Sequence, residues 1–358
     1  MPSLFDPIQL GAIEAANRIL MAPLTRGRST REHVPTPIMA EYYAQRASAG
    51  LIVSEATGIS REGLGWPYAP GLWSKEQVEA WKPVTKAVHE RGGKIVAQLW
   101  HMGRMVHSSV TGLQPVSSSA TTAPGEIHTY DGKKPAEQAR ALDKADIARI
   151  LNDYENAARH ALEAGFDGVQ IHSANGYLID EFLRDSTNLR DDEYGGSPEN
   201  RLRLLREVTE RVINIVGAER TGVRLSPNGD TQGCIDSHPE QVFIPAAKML
   251  SDMKIAFLAL REPGPDGTFG QTDQPKLHAK IREVFVPPLV LNQDYTREEA
   301  LEAVASGRAD AIGFGRKFLA NPDLPRRLQD NLPLNQDNIK TWYSQGKEGY
   351  TDYPFYGD

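Results

Sequence analysis

Residues 168–177, GVQIHSANGY, open on a short apolar run, GVQIH, and leave it through a polar turn that contains a glycine. Such a run, followed by a turn and then a longer segment with helical periodicity, is the mark of one β/α unit. The unit recurs on both sides. Upstream, the candidate strands are residues 18–22 (RILMA), 51–55 (LIVSE) and 94–99 (KIVAQL); downstream, they are 222–226 (GVRLS), 255–260 (IAFLAL), 288–292 (PLVLN) and 309–314 (ADAIGF). Together with 168–172 they make eight, the strand count of a closed parallel barrel.

Helix signals fall between these runs. Ser74 with Gln77, and Thr296 with Glu299, have the spacing of a capping box, in which side chains satisfy backbone N–H groups of the first turn. Ser197 precedes Pro198 at a first helical position, and Gly92, Gly165, Gly217 and Gly307 stand where helices should stop. An open doubly wound sheet would alternate in the same way, but its G-x-G-x-x-G fingerprint after the first strand is absent. The pattern therefore predicts an α/β fold, a single (β/α)8 TIM barrel spanning residues 1–358 as one domain. Residues 104–143 repeat Ser, Thr, Pro and Gly without helical periodicity, which predicts a long capping excursion over the barrel mouth after the third strand. Residues 342–358, rich in Tyr and Gly, predict a tail that folds back onto the barrel.

Composition narrows the partners. Hydrophobic residues are 40% and charged residues 24%, close to the average of soluble globular proteins. A formal net charge of −7 with dispersed basic residues argues against a nucleic-acid partner. Cys234 is the single cysteine, so no internal disulfide is available, and the start MPSLFDPIQL lacks the basic-then-apolar pattern of a secretory signal. No apolar run approaches the ~20 residues needed to span a bilayer. The expectation is a cytoplasmic protein, free of membrane, monomeric or weakly homo-oligomeric.

In a barrel, the loops leaving the C-terminal strand ends converge on one pocket. Those ends read Pro23-Leu24-Thr25, Glu55-Ala56-Thr57, 98–101, 172–177, 224–227, Arg261, Asn292-Gln293 and 314–316. They are rich in amides, hydroxyls and arginines, and poor in carboxylates. A metal hydrolase would need several His, Asp or Glu ligands meeting there, so no metal is expected. A glycosidase would need two acids, and Glu55 is the only clear candidate. An aldolase or sugar-phosphate isomerase would need a strand-end lysine or acid/base carboxylate, whereas Lys94 begins its strand, at the opposite rim. Neutral donors with arginines suit an anionic cofactor whose own ring performs the reaction.

The segments APLTR (22–26), SEAT (54–57), QLWHMGR (98–104), HSANGYLIDEFLRDSTNLRDDEYGGSPENRLR (172–203), GVRLSP (222–227), GFGRKFLANPDL (313–324) and YTDYP (350–354) carry a resemblance along the whole chain. By them the chain resembles the Old Yellow Enzyme family, nearest in pattern to its bacterial 2-cyclohexenone and N-ethylmaleimide reductases. The resemblance implies noncovalent FMN, NADPH or NADH as hydride donor, and small-molecule activated alkenes as substrates: enones, enals, maleimides and nitroalkenes.

It also implies roles. His172 and Asn175 would grip the substrate's carbonyl or nitro oxygen, and Tyr177 would protonate the α-carbon. Thr25 would bond the flavin O4, with Ala22, Pro23, Leu24 and Ala56 along the ring; Gln98 would meet the pyrimidine edge, Arg224 the N1 and O2 region, and His172 the cofactor as well as the substrate. Phe314, Gly315, Arg316 and Gln293 would surround the phosphate end, and Trp66, Tyr68, Trp100 and Tyr350 would shape the substrate cavity. His101, His107 and His128 read as structural or loop-surface residues. The family usually carries glycines where this chain has Asn292-Gln293-Asp294, which sets Asp294 beside a phosphate unless its side chain points away.

Overall fold

The computed structural model describes residues 1–268 and 270–357. Its centre is a closed barrel of eight parallel strands: β1 (Ile19–Met21), β2 (Leu51–Gly58), β3 (Ile95–Trp100), β4 (Gly168–Ser173), β5 (Thr221–Leu225), β6 (Phe257–Arg261), β7 (Leu289–Asn292) and β8 (Ala311–Phe314). Each strand pairs with the next in the chain, and β8 closes on β1. All eight candidate runs are strands. β2 continues past residue 55 to Gly58, and its register with β3 shifts between Val53 and Ala56.

Strand periodicity sorts the side chains. Residues two apart share a face, so Ile95, Ala97 and Leu99 of β3, Val169 and Ile171 of β4, and Val223 and Leu225 of β5 pack with the outer helices in the main core. The alternate positions, Gln98, Trp100, Gln170, His172 and Arg224, are left for the barrel's inner face. Register then levels them: Gln98 lies opposite Gln170 and Ala56, and His172 opposite Arg224. A polar layer at the C-terminal rim follows from the alternation alone.

An N-terminal hairpin, Ile8–Leu10 with Ile13–Ala15, was not foreseen. Its Leu10, Ile13 and Ala15 form a separate core cluster with Leu20, Leu51, Val53, Val96, Phe257 and Val290, apolar residues from near the N-terminal ends of the strands. The hairpin thus packs on the end of the barrel away from the polar layer. The capping boxes are present at Ser74, before helix Lys75–His89, and at Thr296, before helix Arg297–Ala305. Ser197 caps the short helix Pro198–Arg201.

The excursion after β3 is more structured than a loop. It contains a 3-10 turn (Gly103–Met105), a short helix (Ser108–Thr111), a parallel pair (Val116–Ser117 with Arg140–Ala141) and a hairpin (Glu126–Thr129 with Gly132–Pro135). Elements of two to four residues are too short for periodicity to register. The tail does return to the barrel. Arg26 and Arg28, both buried, donate to the carbonyls of Thr341, Trp342, Gly346, Glu348 and Gly349, gathering the strap beside the loop that leaves β1. No helix among the described residues is long and apolar enough to cross a membrane.

Candidate active site

The C-terminal strand ends open on a cavity of about 470 Å³. Ala22, Pro23, Leu24, Thr25, Ala56, Gln98, His172, Arg224, Gln293, Phe314, Gly315 and Arg316 all line it, as do Asn175, Tyr177, Trp66 and Trp100.

Tyr350 does not, and its expected place in the substrate cavity is corrected. It is fully buried against Tyr42, ring centroids 4.0 Å apart and 8° from parallel, with the guanidiniums of Arg26 and Arg28 at 5.1 and 4.6 Å from its ring. Two buried cations attract an aromatic face, so the tail spends this ring on its own anchorage. Trp342 and Tyr343 of the same tail line the cavity instead. Tyr68 is also outside it, edge-on to Tyr130 of the excursion at 5.1 Å. Because the Tyr350 hydroxyl is buried without a hydrogen-bond partner, removing it strands no other group. Tyr350→Phe is predicted to keep thermal stability and enone kcat/KM at the parent level. A loss of about tenfold in kcat/KM would put Tyr350 back among the substrate contacts.

One wall carries three polar side chains in contact. The Tyr177 ring stands edge-on to His172 at 5.1 Å and to Trp100 at 4.9 Å, and Trp100 stacks over His172 at 6.2 Å. Burial, then the positive charges of Arg224 and Arg261, hold the His172 imidazole well below its ordinary pKa, so it is neutral at working pH. Burial pushes the Tyr177 phenol up to about 12, so it keeps its proton. Asn175, in a left-handed backbone conformation (φ 61°) that asparagine tolerates better than most residues, donates its peptide N–H to Ser226 Oγ at 2.8 Å.

Cations and amides make up much of the remaining polar lining. Arg224 donates to Asn292 Oδ1 at 2.7 Å, and burial lowers its pKa to about 9. Arg316 pairs in a fork with Asp337, both bonds 3.0 Å, and lies over Trp342. Gln98 donates to Gln170 Oε1 at 2.7 Å. Asp294 turns toward the 268 loop, accepting from the Thr268 N–H at 2.9 Å and hydroxyl at 2.6 Å. Gln293 and Asp294 have φ of 126° and 55°, the backbone region that glycine enters most easily. The loop therefore keeps a glycine-like path without the glycines.

Glu55 is not an acid of the cavity. Its carboxylate accepts the N–H groups of Arg26 and Gly27 at 3.0 and 3.1 Å, which fixes the loop carrying Thr25. Arg261, Asn292, Lys317, Trp342 and Tyr343 line the cavity and had no role assigned from sequence. For Arg261 a signal existed: like Arg224, it is a lone cation in a buried strand, here closing FLALR.

A flavin fits this lining. Arg224 Nε, His172 Nδ1 and Trp100 Nε1 are buried polar atoms with no hydrogen-bond partner in the protein, an expensive state that a polar cofactor or substrate would relieve. Residues 3–335 match the family model described as NADH:flavin oxidoreductase / NADH oxidase.

The chain belongs to that family.

It is similar to the Old Yellow Enzyme homologue NCR of Zymomonas mobilis, 72% identical with a TM-score of 0.98 over 99% of both chains. It is also similar to a morphinone reductase solved with tetrahydroNAD, 42% identical with a TM-score of 0.93 over 99% of this chain and 98% of that one. Among curated proteins, 12-oxophytodienoate reductase 2 of Arabidopsis thaliana is 41% identical over 98% of this chain and 95% of its own length. The 12-oxophytodienoate reductase 1 of Oryza sativa subsp. japonica is 42% identical over 98% and 93%. The chain is an FMN-dependent ene-reductase of the Old Yellow Enzyme kind, with a nicotinamide as hydride donor.

Proposed function

We propose that His172 and Asn175 hold the activating oxygen of the substrate, that Tyr177 protonates the α-carbon, and that Thr25, Gln98, Arg224, Gly315 and Arg316 hold the cofactor. The observation that carries this reading is one cavity lined by a neutral imidazole in ring contact with a protonated phenol, and by the Asn175 amide. FMN, when bound, would supply the hydride chemistry that links the nicotinamide to the alkene's β-carbon.

The side chains do the rest. Negative charge grows on the carbonyl or nitro oxygen as the β-carbon is reduced, and donors already in place stabilise it without reorganising. Trp100 packs both His172 and Tyr177, limiting their rotation. Arg224 offers a fixed cation to an electron-rich ring edge, and Trp66 with Tyr343, rings 5.0 Å apart, narrows the approach to the cavity. Enones, enals, maleimides and nitroalkenes each present the oxygen that this wall requires; an isolated alkene does not. We also read the protein as cytoplasmic, without nucleic-acid partners, and monomeric or weakly self-associating, supported by its net charge of −7 and its lone, buried Cys234.

Heat-denatured protein is predicted to release free FMN. Arg224→Met removes a hydrogen-bonding cation worth about 1.5–3 kcal/mol, so its FMN dissociation constant should rise by roughly tenfold or more. Fluorescence titration of the apoprotein with FMN measures it, and an unchanged constant would take Arg224 out of the cofactor site.

A further inference from the structure

A terminal amide can turn about its last torsion and present either its NH2, a donor, or its oxygen, an acceptor. For Asn175 the choice matters. Only the donor attracts a substrate oxygen that is gaining negative charge, and the backbone bond to Ser226 fixes the residue's position without fixing its amide.

Arg261 makes the choice. Its Nη1 donates to Asn175 Oδ1 at 3.0 Å and to Thr231 Oγ1 at 3.3 Å, and its Nε donates to Gln293 Oε1 at 3.1 Å. A guanidinium has donors and no acceptor. Turning the Asn175 amide over would set NH2 against N–H beside a full positive charge. Arg261 is itself held: it is 3% exposed, it ends β6, and it stands in register with Asn292 of β7. A chain of fixed groups thus runs from the seventh strand, through Gln293 and Arg261, to the amide beyond the fourth.

We infer that Arg261 is the positioning residue of the substrate clamp: by holding the carbonyl of Asn175 it leaves the NH2 as that residue's contribution to the cavity. The inference rests on the reading of Asn175 as a substrate-binding residue. The same cation also acts on the other half of the clamp, since with burial and Arg224 it keeps His172 neutral. There it is the smallest of the three causes, so the effect of Arg261 on the clamp is carried by its bond to Asn175. It is not itself a catalytic residue in this scheme, because its work is done on Asn175.

The test is a double-mutant cycle in the holoenzyme, read by stopped-flow in each half-reaction with NADPH and 2-cyclohexenone. Arg261→Met should slow oxidation by the enone about tenfold while flavin reduction changes little. In an Asn175→Ala background it should add less than about twofold, because the amide it positions is gone. Arg261→Lys, which keeps a charge and a donor, should recover part of the loss. If Arg261→Met fails to retain FMN, the cycle is run with Arg261→Lys and judged by the same criterion of non-additivity. Losses that add, or an Arg261 variant that oxidises at the parent rate, overturn the inference. Asn175→Ala with an unaltered oxidative half-reaction overturns the underlying reading of Asn175, and that outcome is visible before any Arg261 variant is made.

Discussion

Replacing both His172 and Asn175 with alanine should slow alkene reduction by roughly 100-fold or more while flavin reduction by NAD(P)H suffers much less. Removing one preorganised donor from a developing oxyanion costs about 3 kcal/mol in the step where the charge appears, and here both would go. The two half-reactions differ in where charge builds. In the oxidative one it builds on the substrate oxygen that faces the clamp; in the reductive one no enone is present. His172 is neutral because it is buried beside Arg224 and Arg261, so its contribution is a hydrogen bond rather than a full charge. The loss should therefore be flat across neutral pH. Stopped-flow traces of each half-reaction measure it, and an oxidative half-reaction at the parent rate would refute the clamp.

Tyr177→Phe is predicted to separate substrates by the stability of their anions. The substitution keeps the ring that packs edge-on against Trp100 and His172 and removes only the hydroxyl. With the phenol held up at about 12, it is protonated throughout the working range, so the variant loses a proton donor that was always loaded. Positioned general acids are usually worth about 100-fold or more. An enone's enolate is a poor resting place for charge, so enone reduction should fall by about that factor. A nitroalkene can keep the charge on its nitro group, so hydride transfer should continue and the nitronate should accumulate. Equal, undiminished rates for both substrates, with prompt protonation, would reduce Tyr177 to a wall of the pocket.

The barrel was legible because its information is local and repeated. Eight runs of alternating or continuous apolar residues end in polar turns, and the same alternation that buries Ile171 against the helices points His172 inward. The rim residues followed from strand ends, and the resemblance assigned their roles. What could not be read was non-local. Tyr350 and Tyr343 are both tail aromatics, and only the position of Arg26 and Arg28, more than three hundred residues away, decides which ring enters the cavity. Arg261 carries no motif, and its meaning lies in a partner 86 positions back. The hairpin at Ile8–Leu10 and the small strands of the excursion were too short to announce themselves.

The bond between the β1 loop and the tail also orders events during synthesis. Arg26 and Arg28 leave the ribosome before β2, whereas the carbonyls they bind, at residues 341–349, follow β8. A nascent chain arrested just after β8 would own all eight strands and still have an open-sided cavity, since Trp342 and Tyr343 would not yet have arrived. Two guanidiniums destined for burial would meanwhile remain in water. Domains fold as they emerge, but here the emerging barrel cannot seal its own mouth. The cavity is accordingly completed only by a segment translated after the barrel that surrounds most of it.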